Sequence, residues 1–480
     1  MTLPSYQSYR LPTKARTWLA LCGAAATAAV ISITAGPVGS LVVVLGAVTL
    51  LAAVFVPGVP FAAFVLIPFY KGAVQPYSPI DITILLALVN AIQIVPLVTN
   101  SRSRHVSRAG IALWMGLALL VLAGIMYAPD QQLALGRAIS YWALLFLPIL
   151  PAAARVGSNP RHVRHFLWTL MGMGSLMVGL GVAALFARGV SDTEPLILLG
   201  TSTISVGRAA LLVPLLGVVF VLRDARQGLR VIAVVLMPAA IVVALASGSR
   251  GPLLFLFVLG LLGLVGYFAR PRANRWRRVG LVASVAAVSI IVLSLAAAFV
   301  PAQSLQRFVR FGDFVQGALS GNTTASSGDT SAQARLTLFG LAVTMFEERP
   351  ILGSGTASYE ALSPRFLGAG AADQYPHNAI LQLAAEFGLL GVALFAGLTL
   401  LALFRRLPLG SEWGAVRATF LFFLLNAMVT GDVFEDRLLW GLLMVVLLAE
   451  VAPVAERRAS DLGQTLGLTS ARSAIAEPSR

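Results

Sequence analysis

The sequence predicts an all-α fold: a polytopic bundle of 12–14 transmembrane helices, with both termini cytoplasmic and one large extracytoplasmic loop bearing short helices. Three observations lead there. Of 480 residues, 58% are hydrophobic and 11% charged, where a soluble chain carries roughly a quarter charged residues. Apolar runs of about 18 residues or more, each long enough to cross a bilayer as a helix, recur along nearly the whole length. The alternating pattern of a membrane barrel is absent.

The elements follow in order. Residues 1–16 form a cytoplasmic tail in which Arg10, Lys14 and Arg16 precede an apolar stretch, in the manner of a signal peptide. With so many spans behind it, an uncleaved first helix is expected. Spans are read at 17–35, 38–56, 58–70, 80–98, 109–127, 136–154, 166–187, 205–222, 231–247, 252–269, 279–300, 379–404, 414–430 and 438–452. Pro57, Gly58 and Pro60 interrupt the second and third, which are either two crossings or one bent hairpin. Residues 17–300 thus form a first block of helices, 301–378 an extracytoplasmic loop and 379–452 the last helices. Residues 453–480 read as a disordered cytoplasmic tail.

Charge sets the orientation. With the N-terminus inside, the tail and the inside loops hold 20 of the 35 Lys and Arg. The outside loops hold ten, five of them in the long loop, whose length exempts it from the positive-inside rule. The net charge of +15 is therefore topological and does not call for nucleic acid. Cys22 stands alone, which excludes an intramolecular disulfide and a thiolate metal cluster.

Within 301–378, the stretch 320–333 is polar. Leu336, Phe339, Val343 and Phe346 then fall at helical spacing, so 334–350 reads as an amphipathic helix on the membrane surface. Pro350 and Gly353 mark its end.

His105, His162 and His165 sit in arginine-rich inside loops, whereas His377 lies outside, at the mouth of a span. A neutral imidazole there can take a proton from a hydroxyl; a helix-start histidine with no chemical part is the plain alternative. Metal ligation has no partner at ligand spacing, and no cofactor is called for. Arg250 occupies a short outside turn, ASGSRGP, where Ser249 and flanking glycines let backbone approach an anion and the guanidinium offers a fork of donors. Snorkelling is the alternative. Arg335 opens the loop helix, where free amides also favour anions, or is simply exposed. Arg208 falls inside its span, a costly place for a charge unless it snorkels outward. Asp432, Glu435 and Asp436 make an acidic outside turn that can orient His377 or bind an acceptor, or is an ordinary outside loop. Glu386, inside an apolar run, needs a partner.

Three stretches resemble one superfamily. PHNAILQLAAEFGLLGVALF (376–395) is similar to the histidine-asparagine signature of the O-antigen ligase and O-antigen polymerase family, which opens a late membrane helix after a large periplasmic loop. ASGSRGPLLFL (246–256) resembles its serine-arginine-glycine turn, and ARLTLFGLAVTMFEERPILGSGTASY (334–359) its arginine-bearing loop helix. The resemblance implies glycosyl transfer at the outer face of the bacterial cytoplasmic membrane, inverting and without metal. The donor would be an undecaprenyl-diphosphate-linked oligosaccharide, and the acceptor a glycan or glycolipid. His377 would activate the acceptor hydroxyl. Arg250 and Arg335, with Arg208 as a further candidate, would hold the pyrophosphate, and Asn378, Ser249 and Asp432 would support them. The rival class is a transporter or flippase for lipid-linked glycan, which would place polar groups near the bilayer midplane. Here they gather at one face.

Overall fold

The computed structural model describes residues 56–75, 81–94, 107–188, 194–221, 227–268, 290–292, 294–319, 330–367, 375–408 and 411–450. The expected span 17–35, nearly all of 38–56, the first part of 279–300 and the tail 453–480 lie outside them.

Every regular element among the described residues is helical. In chain order they are α1 (Gly58–Leu66), α2 (Ile82–Ala91), α3 (Arg108–Ala123), α4 (Gln131–Gly157), α5 (Pro160–Arg188), α6 (Thr203–Val221) and α7 (Gln227–Ala246). Then follow α8 (Arg250–Phe268), α9 (Ala302–Leu319), α10 (Thr330–Glu348), α11 (Ser358–Leu367), α12 (Ala379–Phe404), α13 (Glu412–Ala427) and α14 (Arg437–Leu447). Side-chain caps start several of them: Asp81, Ser107, Asp130, Ser202, Asn378 and Asp436 each accept from an amide of the first turn.

Six helices among the described residues are long and apolar enough to cross a bilayer, namely α3 to α7 and α12. Over its described residues the chain is all-helical, and the six apolar helices mark a multi-pass membrane protein. The expected spans at 58–70, 80–98 and 438–452 come out shorter, as Gly58–Phe69, Ile82–Ala91 and Arg437–Leu447. Large apolar side chains such as Leu119, Ile139, Leu176, Val235, Leu262 and Phe404 point outward, as a lipid-facing belt requires. The interior is aromatic: Trp114 packs edge-on against both Phe146 and Trp440, and Phe61 stacks on Phe166.

The bundle has two chemically distinct ends. At one, arginines bind loops to one another: Arg164 donates to Glu412 Oε1 at 2.7 Å, Arg405 to the Ala449 carbonyl, and the Glu450 amide to the Gly157 carbonyl at 2.8 Å. At the other, α10 and α11 pack on α12, and α9 meets the start of α8, where the Arg307 carbonyl accepts from Arg250.

Two expectations change. α12 is not one uninterrupted helix. Its backbone breaks at Gly388 (φ +60°, ψ −155°), and residues 350–355 fill the gap. Leu389 and Leu390 donate to the Pro350 and Ile351 carbonyls at 2.7 and 3.3 Å, while Ser354 and Gly355 donate to the Ala385 and Glu386 carbonyls at 3.0 and 2.8 Å. A broken helix is stable at membrane depth only where protein satisfies the freed groups, and this segment does so. Second, α10 docks by a face other than the expected stripe. Leu338, Leu341, Ala342 and Met345 are buried against Tyr359 and Ala385, whereas Leu336 and Val343 are exposed.

Candidate functional site

The site is built around the 428–436 turn, which three other elements reach. His377 lies just before α12. Its backbone is left-handed (φ +54°), uncommon for a residue with a side chain. Asn378 fixes the neighbouring backbone: its Oδ1 accepts from the Leu381 amide at 3.0 Å and its Nδ2 donates to the Met428 carbonyl at 2.9 Å. The His377 ring packs edge-on against Tyr375, centroids 4.5 Å apart. Its Nδ1 is buried without a hydrogen-bond partner, so no carboxylate orients the ring through that atom, contrary to the orienting part expected of the acidic turn. Burial, and then the nearby Arg335 guanidinium, push the imidazole down to about 4. It is therefore neutral and able to accept a proton across the physiological range.

Arg335 extends from the first turns of α10, half-buried. Its charge reaches both His377 and Tyr375. Arg250 starts α8 directly after the Gly248 turn (φ +70°), and its Nη1 donates to the Arg307 carbonyl of α9 at 2.9 Å. The turn is tied on all sides: Ser249 Oγ donates to the Thr203 carbonyl at 2.5 Å and Ser304 Oγ to the Ala246 carbonyl at 2.7 Å. Gly251 lies so close to the 428–436 turn that a Cβ there would stand 3.2 Å from Val429 Cγ2.

Arg208 does not snorkel. It is 6% exposed and ion-paired with Asp436, with its guanidinium 4.8 Å from the Phe423 ring centroid and 5.9 Å from that of Phe69. Its Nε has no partner. Asp436 also caps α14 through the Leu439 amide, so the pair ties α6 to the acidic turn. Asp432 accepts from the Phe434 amide at 2.7 Å and from the Gln382 side chain. Burial, then Glu435, raise its carboxyl to about 6.

Sequence reasoning missed a second group beside this one. Arg137 of α4 donates from Nε to Glu360 at 2.8 Å and from Nη1 to Glu435 at 3.3 Å. With Tyr141, Tyr359, Tyr375, Gln382, Glu386 and Asp432, these line a cavity of about 180 Å³. Of its members, Glu386 carried a signal as a carboxylate inside an apolar run, and Asp432 and Glu435 as the acidic outside turn; their meeting with Arg137 and Glu360 was not foreseen. Arg137 pairs with residues more than two hundred positions away, and no local pattern announces that. Burial raises the Tyr375 phenol, with Asp432 and Glu435 adding to it and Arg335 and Arg208 opposing. Tyr375 thus stands between the basic and the acidic groups. Among the described residues no His, Cys, Asp and Glu cluster could hold a metal ion.

The arrangement sets an imidazole unpartnered at Nδ1 beside Arg335 and, through Tyr375, beside the cavity lined by Arg137, Glu360, Glu386, Asp432 and Glu435. Comparison with curated proteins and with solved structures gives no match. Residues 232–396 match the O-antigen ligase family, a stretch that contains Arg250, Arg335, the 350–355 segment, His377 and the break in α12. The three motifs at 246–256, 334–359 and 376–395 all fall within that stretch.

Proposed function

We propose that the protein is a membrane glycosyltransferase that moves a glycan from undecaprenyl diphosphate to an acceptor hydroxyl at the outer face of the cytoplasmic membrane. The observation that carries this reading is His377: strained, half-buried, unpartnered at Nδ1 and set beside Arg335. Buried polar atoms without partners are rare in native proteins and call for an explanation; an incoming hydroxyl supplies one.

In the proposed step, the acceptor oxygen attacks the anomeric carbon from the face opposite the diphosphate, and His377 takes the hydroxyl proton. The bond from that carbon to the diphosphate breaks, its electron pair leaves on the phosphate oxygen, and the configuration inverts. Arg335 and Arg250 stabilise the charge that develops there, whereas Arg208, expected with them, is engaged in its ion pair with Asp436. The step as written uses no metal. An anion on Arg335 offsets the smaller of the two causes that lower His377, the larger being burial.

The test is transfer by purified protein supplied with undecaprenyl-diphosphate-linked oligosaccharide and acceptor. Asparagine tolerates a left-handed backbone, so His377→Asn should fold normally and lose roughly 100-fold or more in turnover. Arg335→Lys should fall comparably, since lysine lacks the fork of donors. Near-normal rates in both variants would remove these residues from the reaction. A ladder of products marks a polymerase, and a single shifted acceptor band a ligase.

A further inference from the structure

We propose that the cavity lined by Arg137, Glu360, Gln382, Glu386, Asp432 and Glu435 is a subsite for one sugar ring of the substrates. This rests on the transferase reading above and adds to it a second binding locus on the far side of Tyr375 from the arginines.

The first observation is Glu386. It lines the cavity and is 2% exposed; its carboxyl accepts from the Ala357 amide, and Oε2 has no partner. A buried acceptor left unmade is expensive, and the fold takes trouble to hold it there. Glu386 sits two residues before the α12 break, and its carbonyl is pinned by the Gly355 amide at 2.8 Å. Ala357, which supplies the other bond, is itself left-handed (φ +56°).

The second observation is the lining. Arg137 is already committed to Glu360 and Glu435, so Glu386 and Asp432 remain as acceptors without a cation of their own. Such a surplus of carboxylates repels a diphosphate and suits a ligand rich in hydroxyl donors. Tyr141, Tyr359 and Tyr375 complete the lining. The volume of about 180 Å³ is the share of about six water molecules, room for a single pyranose. Tyr375 closes the argument spatially, since it lines the cavity and also touches His377. A ring seated there places its neighbour's hydroxyl or anomeric carbon next to the imidazole.

The ring can belong to donor or acceptor, and the experiment separates them. Purified full-length protein is titrated with the methyl glycosides of glucose, galactose, mannose, rhamnose and N-acetylglucosamine, observed by saturation-transfer NMR, and separately with inorganic pyrophosphate. At least one glycoside should bind the wild type, about ten-fold more weakly in Glu386→Gln, while pyrophosphate binding stays unchanged in that variant and falls in Arg335→Gln. In the transfer assay, Glu386→Gln should raise KM for one substrate alone. A rise for the acceptor assigns the ring to the acceptor, and a rise for the donor assigns it to the donor. If no glycoside binds, or if Glu386→Gln and Gln382→Leu both bind it as tightly as wild type does, the cavity holds only water and the proposal is overturned. The transferase reading is judged apart: it fails if His377→Asn and Arg335→Lys keep full activity, whatever the glycosides do.

Discussion

His377 and Asp432 lie within one site and are displaced from their ordinary proton affinities in opposite senses. His377 falls from 6.5 to about 4, and Asp432 rises from 3.8 to about 6. Between about pH 4 and 6.5 the unfolded chain binds more protons at the histidine than the folded one does, so this group makes stability rise with pH. Between about pH 4 and 6 the folded chain holds more protons at the aspartate, so that group makes stability fall as pH rises. Each slope has a ceiling of about 1.4 kcal/mol per pH unit, and in the intact protein the two oppose each other. Single variants should expose them. Relative to wild type, the Tm of His377→Asn in detergent should drift downward from pH 4 to 6, and that of Asp432→Asn upward. Curves parallel to wild type would mean that neither group is displaced as described. The same two side chains show why the site was only partly legible from residues alone. The histidine-asparagine pair stands out at the mouth of an apolar run. That Asp436 and not Asp432 answers Arg208 depends on which carboxylate the turn aims inward.

The break in α12 is the element that fixes where residues 350–355 and Glu386 sit. The 350–355 segment completes it by exchanging four backbone hydrogen bonds with residues 385–390. Gly388 cannot be replaced cheaply: a Cβ there would stand 2.5 Å from the Ile351 carbonyl carbon, and its backbone is one that side chains avoid. Gly353 is equally constrained, its Cβ falling 2.3 Å from the Glu386 carbonyl carbon. Gly388→Ala should therefore cost at least about 1–3 kcal/mol from the backbone alone, seen as a lowered Tm. It should also reduce transfer, because Glu386 and the start of α12 shift together. Gly260→Ala on α8, where a Cβ meets nothing within 4 Å, serves as the neutral comparison; equal behaviour of the two variants would mean that the break is not a structural requirement. Sequence alone reads α12 as one continuous helix, because hydropathy reports burial and length but not the path of the backbone. The glycines of ILGSG were visible as a turn, but their docking partner some thirty residues on was not. The α10 stripe fails for a related reason. Both faces of that helix are apolar, so periodicity could not say which one packs.

At the scale of the whole molecule, the division of the two ends supplies the test of orientation. α12, with 26 residues in two helical pieces on either side of Gly388, separates His377 just before its start from Arg405 just beyond its end. Loops bearing Arg155, Arg161, Arg164, Arg405 and Arg417 converge at the second end. The first end collects the mixed-charge network of Arg137, Glu360 and Glu435 with Arg250 and Arg208. Convergence of the basic loops at one face is what the positive-inside rule requires if that face is cytoplasmic, and it follows from a charge pattern readable along the chain. Arg161 and Arg365 are both exposed and stand at opposite ends. In a Cys22→Ser background, a membrane-impermeant maleimide added to intact spheroplasts should label the Arg365→Cys variant fully. It should label the Arg161→Cys variant only after permeabilisation. The reverse pattern would place His377 and its arginines in the cytoplasm, away from a glycan donor presented at the outer face, and the transfer reaction would lose its substrate.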